Sequence, residues 1–257
     1  MCLLAFAINQ HPDYPFILIA NRDEFFDRPT LPLHRWQDHQ QIIGGRDEEA
    51  GGSWLAIHEN GRWAALTNFR DPSLPAGEVS RGMLVNNCLL THQTLPDWFD
   101  ELANNADKYS GFNLVAGDLI SGECFYLSNQ SIGVHTFSDG VYAFSNGHID
   151  DQWPKMHWLR NALADQLTDN NIGSDNLFNL LAHPETVAEE HLPSTGISAD
   201  MEKKLSSPFI KPFELGRRQY GTRSSAVVQL NTQRQWQFFE RGTIPSHPYQ
   251  KKLSGKL

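Results

Sequence analysis

Met1-Cys2-Leu3-Leu4-Ala5-Phe6-Ala7-Ile8, a polar break at Asn9-Gln10-His11-Pro12-Asp13, and the second apolar run Phe16-Ile17-Leu18-Ile19-Ala20 together decide the fold. The apolar run Cys2–Ile8 is seven residues long, too short to span a membrane, lacks a basic segment before it and stops at once in turn-forming residues. It reads as a buried strand paired with the second run across a proline-containing loop. Cys2 directly behind the initiator methionine adds chemistry to that strand. When the methionine is removed, the cysteine carries a thiol and a free α-amino group on one carbon, so nucleophile and base arrive together. An α-amino group titrates near ~8 and a thiol near ~8.5, which makes proton exchange between them easy around neutral pH. The competing reading is a small hydrophobe opening a core strand.

The rest of the chain extends the hairpin pattern. Ser53–His58 pairs with Arg62–Thr67 across Glu59-Asn60-Gly61, and Phe112–Asp118 pairs with Glu123–Ser128 across Ile120-Ser121-Gly122. Gly133–Phe137 and Val141–Ser145 flank Ser138-Asp139-Gly140, and Gly221–Leu230 precedes Gln235–Glu240. Helical spacing covers Val79–His92, a second segment opened by Pro96, then Pro154–Leu167 and Asp175–Leu181 with Ser174 as its cap. Hairpins alternating with helix pairs exclude a parallel doubly wound sheet and predict antiparallel sheets covered by helices. The expected class is α+β, a four-layer αββα sandwich of antiparallel sheets. At 257 residues with no linker or repeat, one domain over 1–257 is expected, with residues 250–257 as a frayed basic tail.

Composition narrows function. A formal net charge of −9, with 21 Lys and Arg spread thinly, leaves no basic stripe for nucleic acid. Three widely spaced cysteines and no secretory signal point to a reducing cytoplasm. The eleven histidines show no metal-ligand spacing, so no metal and no cofactor are expected. Cys88 falls on an apolar helical face and is expected in the core. Gly44-Gly45-Arg46 and Gly51-Gly52 lack phosphate-loop spacing and read as a pocket-rim loop.

The segment Ile19-Ala20-Asn21-Arg22-Asp23-Glu24-Phe25-Phe26-Asp27-Arg28-Pro29 ends a buried strand with four polar residues, then two phenylalanines. Alternation sends Asn21 and Asp23 to one face, expected to be the face of the Cys2 thiol, and Arg22 to the other. A salt-bridged strand end is the alternative. Phe25 and Phe26 either line an apolar pocket mouth or pack structurally.

Asn21-Arg22-Asp23-Glu24, Gly44-Gly45-Arg46-Asp47, Ala50-Gly51-Gly52-Ser53-Trp54-Leu55, Leu66-Thr67-Asn68-Phe69-Arg70, Ser145-Asn146-Gly147, Trp153-Pro154-Lys155 and Tyr220-Gly221-Thr222-Arg223-Ser224-Ser225 together resemble the NRDE family, which includes the transport and Golgi organisation protein 2 of eukaryotes. Eukaryotic members are linked to Golgi organisation, haem trafficking and lipid or acyl-CoA homeostasis. A more distant resemblance, to choloylglycine hydrolases and penicillin V acylases, implies an N-terminal nucleophile hydrolase fold and an acyl-transfer site. It implies Cys2 as nucleophile, Asp23 as anchor of the amine, Asn68 and Asn146 as oxyanion donors, and Arg223 as the cation that depresses the thiol. The motifs add Asn21, Arg22, Phe25, Phe26, Arg46 and Arg70 as expected substrate-binding residues. The first arginine of the enzyme pattern falls at Ala20, a departure that bears on substrate positioning. Three readings follow: a cysteine amidohydrolase or thioesterase acting on a small acyl amide or acyl thioester, a non-catalytic carrier of haem, acyl-CoA or another acyl lipid, and a scaffold for secretory traffic.

Overall fold

The computed structural model describes residues 2–169 and 172–257. In chain order the strands and helices are β1 (Cys2–Ile8), β2 (Phe16–Phe25), β3 (Thr30–Arg35), β4 (Ile42–Asp47), β5 (Leu55–His58), β6 (Arg62–Asn68), α1 (Gly82–Leu90), α2 (Leu95–Ala103), β7 (Phe112–Asp118), β8 (Cys124–Ser128), β9 (His135–Thr136), β10 (Gly140–Phe144), α3 (Pro154–Leu167), α4 (Ser174–Leu181), α5 (Ala199–Lys204), β11 (Phe213–Leu215), β12 (Arg218–Leu230), β13 (Gln235–Gly242) and β14 (Tyr249–Lys256). They form two compact units, Met1–Arg28 with Asp139–Lys256, and Pro29–Ser138 with Leu257. Each unit is built on a seven-stranded antiparallel sheet, so the α+β class with antiparallel sheets holds. No helix among the described residues is long and apolar enough to cross a membrane.

In the first unit the strand order is β10-β1-β2-β12-β13-β14, with β11 added to β12. The strand that begins at Cys2 is therefore interior, flanked by β10 and β2. Strict alternation gives β1 and β2 one face made of Leu3, Ala5, Ala7, Ile17 and Ile19, which buries against Leu159 and Leu163 of α3 and Leu177 and Leu181 of α4. Each fully buried leucine contributes roughly 2 kcal/mol, enough to specify the register, since a one-residue slip would turn the whole set over. Pro154 starts α3 because a missing N–H costs nothing in a first helical turn.

The second unit is a meander in which β3 to β9 pair in chain order. Helices α1 and α2 cover it through Leu84, Val85, Cys88, Trp98 and Phe99, so Cys88 is the core residue its helical position indicates. Thr94 caps α2 by accepting from the Asp97 N–H. Gly61 and Gly122, at φ 102° and 78°, supply the positive φ that their hairpin turns require.

Four local expectations are corrected. Gly133–Phe137 and Val141–Ser145 do not form a hairpin: β9 pairs with β8, whereas β10 pairs with β1. The boundary between the units falls at Ser138 and Asp139, so the two runs belong to different sheets. The basic end is not frayed, because β14 pairs with β13 along its whole length, from Gln235–Lys256 to Gly242–Tyr249. Its lysines sit on an exposed edge, where charge discourages further strand addition. Val79 lies outside α1, bridging to Tyr109. Ser174 is the first residue of α4, preceded by Gly173, and makes no side-chain cap.

Candidate active site

The register around Cys2 sets the geometry. Residues directly opposite in neighbouring antiparallel strands put their side chains on the same face. Cys2 is paired with Arg22, and Arg22 with Ser224, which in turn is paired with Gly242 and Gly242 with Tyr249. On the other side β10 ends at Phe144, paired with Leu4; continuing that register carries Asn146 toward Cys2, and the Ser145 hydroxyl donates to the Cys2 carbonyl at 3.3 Å. One row thus crosses the sheet, Cys2, Arg22, Ser224, Gly242 and Tyr249, on the face opposite α3 and α4. That face is also buried, Arg22 being 5% exposed; Asn146 is 0% exposed.

This register reverses the expected facing of the polar strand end. Arg22, not Asn21, shares the face of the thiol. Asn21 is on the helix side with Leu3, its cross-strand partner, and is 1% exposed. Its Nδ2 donates to the carbonyls of Leu181 and Pro208 at 2.8 and 2.9 Å, and its Oδ1 accepts from Ser225 Oγ at 2.6 Å. With three strong partners it braces the chain beyond α4 against β2, a structural task rather than a substrate contact. The physical reason is that alternation gives the relative facing of neighbours, whereas only pairing identifies which of them shares a face with Cys2.

Asp23 follows Arg22 in β2 and by the same alternation lies on the face of Asn21, so its expected facing toward the thiol is reversed as well, while its backbone N–H and the charge of its carboxylate still act on Cys2. Asp23 is 1% exposed, and Thr222 Oγ1 donates to its Oδ1 at 2.7 Å while itself accepting from the Ile210 N–H. Tyr220 donates to the Asp23 carbonyl at 3.1 Å. These partners hold a buried carboxylate in one orientation beside the strand start.

Cys2 itself is half-buried. Burial pushes its thiol above the ordinary value; the Asp23 carboxylate adds to that rise, and the Arg22 guanidinium and the Asp23 backbone N–H oppose it by favouring the thiolate. Arg22 is the side-chain cation that favours the thiolate, after the larger effect of the chain's amino-terminal charge; the resemblance implied Arg223 for that role. Arg223 is the extra residue at a bulge between Thr222 and Ser224. Its Nη1 donates to the carbonyls of Phe25, Phe26 and Arg28 at 3.0, 3.3 and 2.7 Å, which ties down the turn after β2.

Asn146 lies two residues past the end of β10, with its carboxamide oxygen accepting from Ser145 Oγ at 3.2 Å. That contact orients the amide so that its NH2 is the group turned away from Ser145, the donor type an oxyanion needs. Phe25 packs edge-on to Tyr220 with ring centroids 5.3 Å apart, and Arg218, held by Asp27, lies 3.9 Å over its ring. Phe25 is thereby a packed side chain. Phe26 is half-buried beside Gly221.

Arg46, Asn68 and Arg70 belong to the second unit. Arg46 is fully engaged: both Nη atoms bind Asp38, Nε donates to the Gly51 carbonyl and the guanidinium covers Trp36 at 4.2 Å. Asn68 ends β6 opposite Phe112, and Arg70 is buried just after it.

Ser224 and Tyr249 belong to the row and Thr222 and Glu240 lie near it; none of them was an expected site residue. A signal existed for Glu240: alternation in Trp236-Gln237-Phe238-Phe239-Glu240 places its carboxylate on the face of two buried aromatics, an unusual place for an exposed acid.

Comparison with known proteins agrees with this architecture. Residues 1–245 match the family Transport and Golgi organisation 2. The Transport and Golgi organization protein 2 homolog of Bos taurus is 28% identical over 262 residues, covering 96% of this chain and 95% of that protein. The homolog of Homo sapiens is 28% identical over 259 residues, covering 95% and 94%. Among solved structures, a mutant of the conjugated bile acid hydrolase from Clostridium perfringens superimposes with a TM-score of 0.55 at 10% identity, covering 100% of this chain and 97% of that one. A second variant of that hydrolase gives 0.54. The likeness establishes the N-terminal nucleophile hydrolase fold.

Proposed function

We propose that this chain, which belongs to the Transport and Golgi organisation 2 family, is an N-terminal cysteine hydrolase that cleaves a small acyl amide or acyl thioester. The observation that carries the reading is the pairing of Cys2 with Arg22 at the start of an interior strand, with Ser145 bound to the Cys2 carbonyl ahead of buried Asn146 and with Asp23 buried next to Arg22. The thiol passes its proton to the α-amino group exposed by removal of Met1, which lies outside the described residues. The thiolate attacks the acyl carbonyl, forming a C–S bond. Asn146 donates to the resulting oxyanion and Arg22 favours the anionic sulfur. Collapse of the intermediate expels the amine or thiol, which takes the proton from the α-ammonium group. Water, deprotonated by the same amine, then cleaves the acyl-enzyme thioester, releasing the acid and restoring Cys2. Asp23 acts by holding the amine in place.

The roles assigned to Asn68, Arg46 and Arg70 rest on the sequence resemblance alone. A cytoplasmic site of action belongs to the same proposal, because a free, reactive thiol persists only where thiols stay reduced.

Ala20 supports a second reading. It lies one row from Cys2 on the same face, paired with Leu4 and Ala226, where the hydrolase pattern has its first arginine. Without that cation the site suits carriage of haem or acyl-CoA. Asn146→Ala separates the two readings when assayed by hydrolysis of acyl amides and acyl thioesters and by equilibrium titration with haem and with acyl-CoA. The hydrolase reading predicts ~10²-fold slower turnover at nearly unchanged affinity, because the donor acts on charge that develops in the transition state. Weakened binding, with no hydrolysis by the unmodified protein across a broad acyl panel, would establish the carrier.

A further inference from the structure

We propose that Tyr249 and Glu240, on the two C-terminal strands, form a positioning relay that holds Arg22 over the Cys2 thiol. The inference rests on Cys2 as the reactive thiol. Tyr249 lies beyond the residues that the family comparison matches, at the far end of the row that contains Cys2.

Four observations converge. Glu240 is 1% exposed on the thiol's face, and a buried carboxylate is retained where a cation and hydrogen bonds compensate it. Arg22 is a buried cation on that face, in the next row and two strands away, roughly 10 Å, a span that an arginine and a glutamate side chain cover together. Between them stand Ala20 and Ala226 in one row and Ser224 in the other, all small enough to let a guanidinium pass above the sheet. Tyr249 then orients the carboxylate: its hydroxyl donates to Glu240 Oε1 at 2.5 Å and is also hydrogen-bonded to Ser224. The ring reaches that position because residue 242 is glycine; a Cβ there would lie 2.2 Å from Tyr249 ring carbons. Burial and the adjacent Glu240 push the tyrosine hydroxyl well above its usual value, so it stays protonated and always donates. The charged groups around this assembly are Arg22 from β2, with Asp23 next to it on the other face, Arg223 from β12, Glu240 from β13 and Lys251, the cross-strand partner of Glu240, from β14.

The test is the pH dependence of Cys2 alkylation by iodoacetamide in the full chain, which requires no turnover and stays interpretable whatever the hydrolysis assays return. Tyr249→Phe keeps the ring over Gly242 and every charge. It should slow labelling at neutral pH about threefold to tenfold, the change expected from a rise of half to one pH unit in the thiol's midpoint. Glu240→Gln should slow it too, although loss of a nearby negative charge alone would speed it. Leu253→Ala, on β14 but away from the relay, should reduce thermal stability and leave the midpoint in place. An unchanged midpoint in Tyr249→Phe, faster labelling in Glu240→Gln, or an equal shift in Leu253→Ala would overturn the relay. Should Tyr249→Phe fail to fold, Glu240→Gln decides alone: slower labelling supports the relay, and equal or faster labelling rejects it.

Discussion

Both units bury polar side chains in their sheets, but of different kinds. In the second unit Tyr126 donates to Asn113 Oδ1 at 2.8 Å and Asn113 Nδ2 donates to Thr67 Oγ1 at 3.2 Å, a neutral cluster whose members satisfy one another. In the first unit the buried charged groups on β2 and β13 are Arg22, Asp23 and Glu240, and the first two act on the Cys2 thiol. Neutral hydrogen-bonded groups cost little to bury and help specify a sheet register. Buried ions cost several kcal/mol each before compensation, and they perturb neighbouring titrations. A sheet that carries them where a neutral cluster would serve packing equally well is organised for chemistry. On the proposed hydrolase reading the first unit's sheet is such a case, and the second unit's cluster is its internal control.

The largest expected break in this contrast is Cys2→Ala. Hydrolysis should vanish while stability changes by about 1 kcal/mol or less, measured by turnover and by chemical denaturation of the same preparation. Asp23→Asn keeps an acceptor for Thr222 but loses the charge that holds the amine. It should lower turnover about tenfold to a hundredfold with little change in melting temperature. If Asp23→Asn unfolds the protein while activity per folded molecule is unaltered, Asp23 is a packing residue like those of the second unit.

Thiol labelling sharpens the comparison further. Cys88 is fully buried and its thiol is pushed up to about 12; Cys124 is buried and displaced upward as well. Both should resist iodoacetamide at neutral pH, whereas half-buried Cys2, with Arg22 opposing the effect of burial, should label first. Because its thiol is nonetheless raised, the Cys2 rate should keep climbing as pH rises above 7. Equal labelling of the three cysteines would remove the distinction. The smallest effect is expected from Tyr126→Phe in the neutral cluster: about 1 kcal/mol of stability lost, with labelling of Cys2 and turnover unchanged.

Much of the architecture was legible because period-2 alternation and turn glycines are local signals. Phe112–Asp118 and Pro154–Leu167 come out of the structure with the bounds their pattern implies. The antiparallel pairing of β1 with β2 followed from the short polar break between two apolar runs. What escaped depended on pairing between distant segments. Nothing local says that β10 leaves its neighbour β9 for β1, or that eight residues rich in lysine continue a sheet through backbone hydrogen bonds to β13. The site was legible in part for the same reason. Its residue types stood out in Asn21-Arg22-Asp23, but their facing depends on the Cys2–Arg22 register. That register exchanges Asn21 for Arg22 at the thiol, and the bulge at Arg223 turns that arginine to the turn after β2.

The central claim is that Cys2 is a processed N-terminal nucleophile, and intact-protein mass spectrometry before and after reaction with a β-lactone probe tests it most directly. The account predicts a chain lacking Met1 that gains a single acyl group, located on Cys2 by peptide mapping and absent from Cys2→Ala. A retained methionine, or acylation that persists in Cys2→Ala, would contradict it.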